Sequence, residues 1–139
     1  MKIKLFVAAF SLTLLQTFSA VADPVEGLLG SWTAQNFVQG RGVEFHMSFN
    51  FQEDTTQLTV KCYFYDGAFL EAQALTNAHY IDNEIYLQNS RQSVVDDGYH
   101  FCRATLQPSR WTAYFDGTGK MVLFVPTPYQ SRFTLVRDI

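Results

Sequence analysis

Apolar and polar residues alternate with a period of two through much of this chain, most regularly between positions 43 and 51. A β-strand turns successive side chains to opposite faces, so this alternation predicts a strand with one buried face. Residues 58–64 repeat the pattern and place Cys62 on their apolar side. The apolar members of the first run are Val43, Phe45, Met47, Phe49 and Phe51.

Turn signals separate the alternating runs. Asp66-Gly67 is typical of a type I′ hairpin turn, and Asp82-Asn83 predicts a second tight connection. Residues 89–98 form the longest polar segment and are predicted to be a loop. The strand predicted over residues 99–107 carries Cys102 on its apolar face. The whole pattern indicates about eight to ten short strands joined mostly by tight turns.

This pattern predicts an all-β fold, and within it a small antiparallel up-and-down β-barrel. An open meander leaves unpaired strand edges, which closure into a barrel removes. The composition agrees, because 13 Phe and 7 Tyr residues contribute to an aromatic content of 16%, and aromatic side chains suit half-buried strands. A β-sandwich is the alternative architecture.

Residues 1–22 are predicted to be a secretory signal peptide. Lys2 and Lys4 give it a positive start, residues 5–15 form an uncharged apolar run, and Ala20 and Ala22 supply small residues before the cleavage point. Polar residues interrupt the apolar run before it reaches the ~20 residues that a membrane-spanning helix needs. Residues 23–139 are therefore expected to form one exported domain, periplasmic or secreted, without a membrane span.

Cleavage would remove two of the ten basic residues and none of the 13 acidic ones, leaving eight basic residues and a formal charge of −5. Nucleic acids and anionic membranes attract proteins through concentrated basic surfaces. The basic residues here are scattered along the chain, so neither is an expected partner.

Cys62 and Cys102 are the only cysteines in the sequence. In an exported protein, a single pair predicts a disulfide. A bridge across about 40 residues stabilises a fold by roughly 4 kcal/mol in the chain-entropy model. The spacing fits no CxxC pattern, which disfavours the alternative of a metal or redox site.

The segment Gly30-Ser31-Trp32 resembles the Gly-x-Trp opening of lipocalins and of the wider calycin group, and residues 80–87 resemble a hairpin of lipocalin-like domains. The resemblance implies a Trp that plugs one end of an eight-stranded barrel. It also implies an Arg from near the final strand packed across the indole, a contact of roughly 0.5–2 kcal/mol. Arg132 and Arg137 are the candidates for this barrel-closing Arg. The chain departs from lipocalins in lacking a predicted helix before the final strand.

The large apolar residues predicted to face inward are the candidates for a ligand-binding site. An eight-stranded barrel is either filled by its own side chains or just wide enough for one small ligand, and the sequence leaves both alternatives open. In the second case, the residues expected to contact the ligand are Trp32, Phe45, Met47, Phe49, Phe64 and Phe133.

The sequence contains no pattern typical of catalysis or metal binding. His46, His79 and His100 share no metal-ligand spacing, and no Gly-x-Ser-x-Gly nucleophile elbow occurs. Asp96 and Asp97 lie close to His100 in sequence, but Asp is favoured in turns because it hydrogen-bonds its own backbone. We expect no enzymatic activity, no cofactor and no metal.

Two functions from different classes remain as hypotheses. The first is non-covalent binding of a small apolar molecule inside the barrel, which Gly30-x-Trp32 and the aromatic inward face favour. The alternative is a protein-binding module or inhibitor built on a solid barrel, which would use its outer face and loops. Outward-facing Tyr63 and Tyr65 and the long segment 89–98 favour this alternative.

Overall fold

The part of the chain that the computed structural model describes, residues 23–127 and 130–138, forms eleven β-strands joined by short connections. The predicted signal peptide, residues 1–22, lies outside the described residues. The strands are β1 (Gly30–Ala34), β2 (Val38–Gly40), β3 (Val43–Phe51), β4 (Thr55–Phe64), β5 (Phe69–Ile81), β6 (Glu84–Leu87), β7 (Arg91–Asp96), β8 (Phe101–Leu106), β9 (Ser109–Phe115), β10 (Lys120–Val125) and β11 (Ser131–Arg137).

Eight of these strands close into an antiparallel barrel. The sheet runs in the order β1-β11-β10-β9-β6-β5-β4-β3, and β1 pairs with both β11 and β3. Trp32 sits at the closure, opposite Arg137 on one side and Phe49 on the other. The short strand β2 pairs with the start of β3. The predicted all-β antiparallel barrel is confirmed, and the sandwich alternative is not.

The period-two pattern sets the inner face of the barrel. Residues directly opposite each other in an antiparallel pair share a face, and Phe45 lies opposite Cys62, which lies opposite Leu70. Met47 and Phe49 of β3 point inward in the same way, and both side chains are buried. The alternation in the sequence therefore identifies the buried face correctly.

Two local predictions need correction. The predicted loop at 89–98 contains β7, which pairs with β8. The turn at Asp66-Gly67 is not type I′, since Gly67 has a positive φ of 97° and Asp66 does not. A left-handed Gly at the end of the turn is typical of three-residue hairpin loops, which are one residue longer than the two-residue loops of type I′.

Aromatic rings fill one end of the barrel. The Phe49 ring lies 5.7 Å from that of Trp111 and 5.6 Å from that of Phe133, measured between centroids. Trp32 is 2% exposed, and its Nε1 donates a hydrogen bond of 2.9 Å to the carbonyl of Leu28. Burial of rings of this size contributes much of the favourable free energy of a small core.

Arg137 covers Trp32 from outside. Its guanidinium carbon lies 4.3 Å from the Trp32 ring centroid, and its Nη1 donates to the Leu29 carbonyl at 2.9 Å while Nη2 donates to that of Gly27. A Cβ atom on Gly30 would lie 2.6 Å from the same Nη1. Gly30 also has a φ of 127°, so glycine meets both a backbone and a steric requirement here.

The hairpin β7–β8 forms a separate two-stranded sheet. It packs against β4 and β5, and Cys102 of β8 forms the predicted disulfide with Cys62 on the inner face of β4, with a Cα–Cα distance of 5.9 Å. The neighbouring inner face of β5 carries the small residues Ala72 and Ala74, both buried. These alanines leave room for a strand to lie inside the barrel wall.

We predict that Arg137→Met lowers the free energy of unfolding by about 1–3 kcal/mol, because it removes the cation–π contact and two hydrogen bonds to carbonyls. Arg132→Met is the matched control, since Arg132 lies on the same strand but over Phe124, at 5.8 Å. Urea denaturation of both variants measures the difference. Equal losses in the two variants would contradict this role for Arg137.

Candidate functional site

The β7–β8 hairpin has two faces with different surroundings. Cys102, Ala104 and Leu106 are at most 1% exposed and point to the barrel wall. The alternate residues of β8, Phe101 and Arg103, point the other way and remain exposed. One face of β8 therefore packs against the barrel wall, and its other face borders an open space.

That space is a cavity of about 900 Å³ at the end of the barrel away from Trp32. The barrel side of the cavity is apolar, whereas the hairpin side and the β2–β3 turn are largely polar. Its apolar lining includes Val38, Val43, Phe45, Met47, Phe64 and Phe133. Its polar lining includes Arg41, Gln92, His100, Arg103, Thr105 and Gln107.

The structure brings together four of the six residues that the sequence analysis proposed for a ligand site. These four are Phe45, Met47, Phe64 and Phe133, all of which line the cavity. Trp32 and Phe49 are absent from its lining and belong to the packed end of the barrel. The alternation in the sequence reveals which side chains point inward, but it does not reveal how far along the barrel axis each one lies.

Sequence reasoning missed the polar wall. Arg103 and Thr105 alternate with Cys102 and Ala104, so the opposite face of that strand was recognisable from the sequence as polar. The position of that face inside the barrel depends on the disulfide and on the inward course of the hairpin. Arg41, in the turn between β2 and β3, gives no local signal of a site.

His100 joins two hairpin turns at the mouth of the cavity. Its Nε2 lies 2.7 Å from Oδ2 of Asp66, in the β4–β5 connection, and its Nδ1 lies 3.1 Å from Oδ2 of Asp97, in the β7–β8 connection. The Phe64 ring packs beside it, with 4.4 Å between centroids. Both ring nitrogens of His100 therefore contact carboxylates, one from each turn.

These contacts shift the pKa values of His100, Asp97 and Asp66. Hydrogen bonds with Asp97 and then Asp66 raise the pKa of His100, since each carboxylate stabilises the imidazolium. The backbone N–H groups of His100 and Tyr99 donate to Asp97, at 2.7 and 2.9 Å, and lower its pKa to about 2. The pKa of Asp66 is also lowered, first by the backbone N–H of Ala68 and then by His100. Asp97 thus has the turn role that the sequence analysis favoured.

The other two histidines lie elsewhere on the barrel. His46 is on the outer side of β3 and bonds Oε1 of Glu44 at 2.7 Å. His79 is on β5, with its ring 5.8 Å from that of Tyr86. Across residues 23–127 and 130–138, no group of three or more His, Cys, Asp or Glu side chains is placed to hold a metal ion.

Four rings form a continuous row on the outside of the barrel, which we call the outer aromatic row. Phe37 stacks on His46 at 3.8 Å, His46 packs against Tyr63 at 4.5 Å, and Tyr63 packs against Phe69 at 5.0 Å. Phe37, Tyr63 and Phe69 are 41–50% exposed. The row spans the start of β2 through β5.

Tyr65 stands near the row, 65% exposed, and its hydroxyl donates to Oε1 of Gln39. Tyr86 lies on β6 and hydrogen-bonds Glu84 instead. Of the outward tyrosines expected from the sequence, only Tyr63 is part of the row.

The chain matches no protein-family model, no curated protein and no solved structure. Within the described ranges, no helix is long and apolar enough to cross a membrane.

We predict that His100 makes stability depend on pH. Its folded-state pKa is raised above 6.5, so its contribution is full below pH 6.5 and is lost as the pH rises through the raised value. The Asp97 contribution is present above its unfolded pKa near 3.8 and is lost as the pH falls towards 2. Urea denaturation should therefore give a lower free energy of unfolding for the native chain at pH 9 than at pH 5.5. The His100→Gln variant should lack this decrease.

His79→Gln is the control for this measurement, because His79 has no carboxylate partner among the described residues. It should keep the pH dependence of the native chain. The same pH dependence in His100→Gln and in the native chain would contradict the role of His100.

Proposed function

We propose that this protein is an exported binding protein that holds a small, largely apolar molecule non-covalently in the cavity between the β7–β8 hairpin and the barrel wall. The observation that carries the proposal is the 900 Å³ cavity with one apolar side. Small-molecule sites in proteins have volumes of about 300–1,000 Å³ and are lined by apolar groups with a few polar ones. The lining described above fits this description.

The apolar wall gives such a ligand a source of affinity. Phe45 and Phe64 are only half-buried although they face inward, so a ligand that covers them would remove apolar surface from water. Each 100 Å² covered contributes about 2.5 kcal/mol before the costs of binding. The disulfide holds the hairpin in place before binding, which reduces the conformational entropy lost on binding.

In this proposal, the protein binds its ligand and catalyses no reaction. His100 is the only histidine that lines the cavity in the part of the chain that the structure describes, and both of its ring nitrogens contact carboxylates of turns. These contacts support a structural role. The Cys62–Cys102 disulfide supports export, because disulfides persist in oxidising compartments.

We also propose a relationship to the calycin group. An eight-stranded antiparallel barrel that opens with Gly30-x-Trp32 supports it, and Arg137 packed across the Trp32 ring supports it further.

Native mass spectrometry of the mature protein, purified from its own host without detergent, tests the proposed function. We expect an added mass of a few hundred daltons that disappears on denaturation. Thr105→Trp should abolish the adduct, because the indole would project into the cavity. Thr112→Trp, on the outer side of β9, is the matched control and should keep it. A bare polypeptide mass in the native protein and both variants would count against ligand carriage.

A second function, protein recognition through the outer aromatic row, is favoured by a specific observation. Monomeric soluble proteins rarely expose large contiguous apolar patches, and Tyr and Phe are enriched where proteins meet. In the row, His46 packs between the exposed rings of Phe37 and Tyr63, and Tyr63 packs directly against the exposed ring of Phe69. A partner would cover rings that are already packed against one another, so little side-chain entropy would be lost.

Site-specific photocrosslinking in the host tests this second function. A benzoylphenylalanine at Phe69 should give one discrete protein adduct. The same residue at Leu75, which is 52% exposed on the same strand but away from the row, should give none. Adducts at neither site, or equal adducts at both, would argue against a partner on the row.

A further inference from the structure

The charge of the cavity lining is opposite to that of the chain. Residues 23–139 carry eight basic and 13 acidic side chains. Two of the basic residues, Arg41 and Arg103, line the cavity, whereas no Asp or Glu lines it among the described residues. A net negative protein therefore presents a net positive cavity.

Neither guanidinium has an ion-pair partner within residues 23–127 and 130–138. Arg110, on the outer surface, lies 3.7 Å from Oε1 of Glu84, but no carboxylate oxygen comes within 4.0 Å of Arg41 or Arg103. Arg103 stacks over the ring of Phe101, with its guanidinium carbon 5.5 Å from the centroid. The stacking holds the cation at the cavity surface and leaves its N–H groups for another partner.

The carboxylates of the two turns beside His100 already have partners. Asp66 and Asp97 are bound to His100, and Oδ1 of Asp96 accepts a hydrogen bond of 2.7 Å from the backbone N–H of Gly98. The turns at the cavity mouth thus retain their acidic groups, and the two arginines stay available.

Resting on the function proposed above, we infer that the ligand is an anionic amphiphile: an apolar body with one acid group, which Arg103 binds. The apolar body lies against Phe45, Met47 and Phe133, and the acid group faces the hairpin side. A planar guanidinium matches an acid group with two parallel N–H···O bonds. Arg41, in the turn between β2 and β3, adds a second positive charge to the cavity lining.

Three probes that share one ten-carbon tail test the inference: decanoate, 1-decanol and decyltrimethylammonium. Each displaces the uncharged fluorescent probe N-phenyl-1-naphthylamine from the mature protein, and its apparent Kd is measured. We expect decanoate to bind about tenfold more tightly than decanol, because a charge-assisted hydrogen bond contributes a free energy of that size. The ammonium should bind most weakly.

Arg103→Gln should reduce the affinity for decanoate to that for decanol and leave the decanol affinity within about twofold. Arg103→Lys keeps the charge and should retain most of the preference, which separates loss of the anion contact from loss of the fold. Arg110→Gln is the matched control and should change nothing.

Equal affinities for decanoate and decanol, or a preference that survives in the Arg41→Gln/Arg103→Gln double variant, would overturn the anionic ligand and leave the carrier function intact. Failure of the fluorescent probe and of all three amphiphiles to bind would instead overturn the carrier function, and the inference with it.

Discussion

The disulfide between Cys62 and Cys102 fixes the feature on which the site depends, the inward position of the β7–β8 hairpin. Without the hairpin, the inner face of β5 would be open at Ala72 and Ala74, whose small side chains cannot fill the barrel alone. With the hairpin packed against β5, both alanines are buried together with Ala104 and Leu106 of β8, and the opposite face of the hairpin becomes a cavity wall. One covalent bond therefore both completes the core and creates a cavity beside it.

The two ends of the barrel differ in how completely side chains fill the interior. At the closed end, Trp32, Phe49 and Trp111 fill the interior, and Arg137 holds Trp32 in place through contacts with carbonyls. Packing dominates there even at a polar cost: Trp111 Nε1 is buried without a hydrogen-bond partner among the described residues, which costs about 1–3 kcal/mol. At the open end, half-buried Phe45 and Phe64 have no such filling.

Much of the fold follows from the sequence because a strand encodes its buried face in alternate residues, as positions 43–51 do. The barrel was predicted from the number of strands, and the disulfide from a single pair of cysteines in a chain predicted to be exported. The sequence did not reveal β7, since residues 91–96 gain their pairing only once β8 lies beside them. It also did not separate Trp32 and Phe49 from Phe45, or assign Arg103 to a site, because depth along the barrel depends on closure and on where the hairpin bends.

The alanines of β5 lie behind the hairpin and do not line the cavity, yet they set how deeply the hairpin sits. A larger side chain at Ala72 would push the hairpin away from the wall and into the cavity. In the proposed carrier, the size of the ligand would therefore depend on residues that never touch it, whereas Arg103 and the apolar wall would set its chemistry. Under that proposal, the length and the charge of the ligand are selected by different parts of the fold.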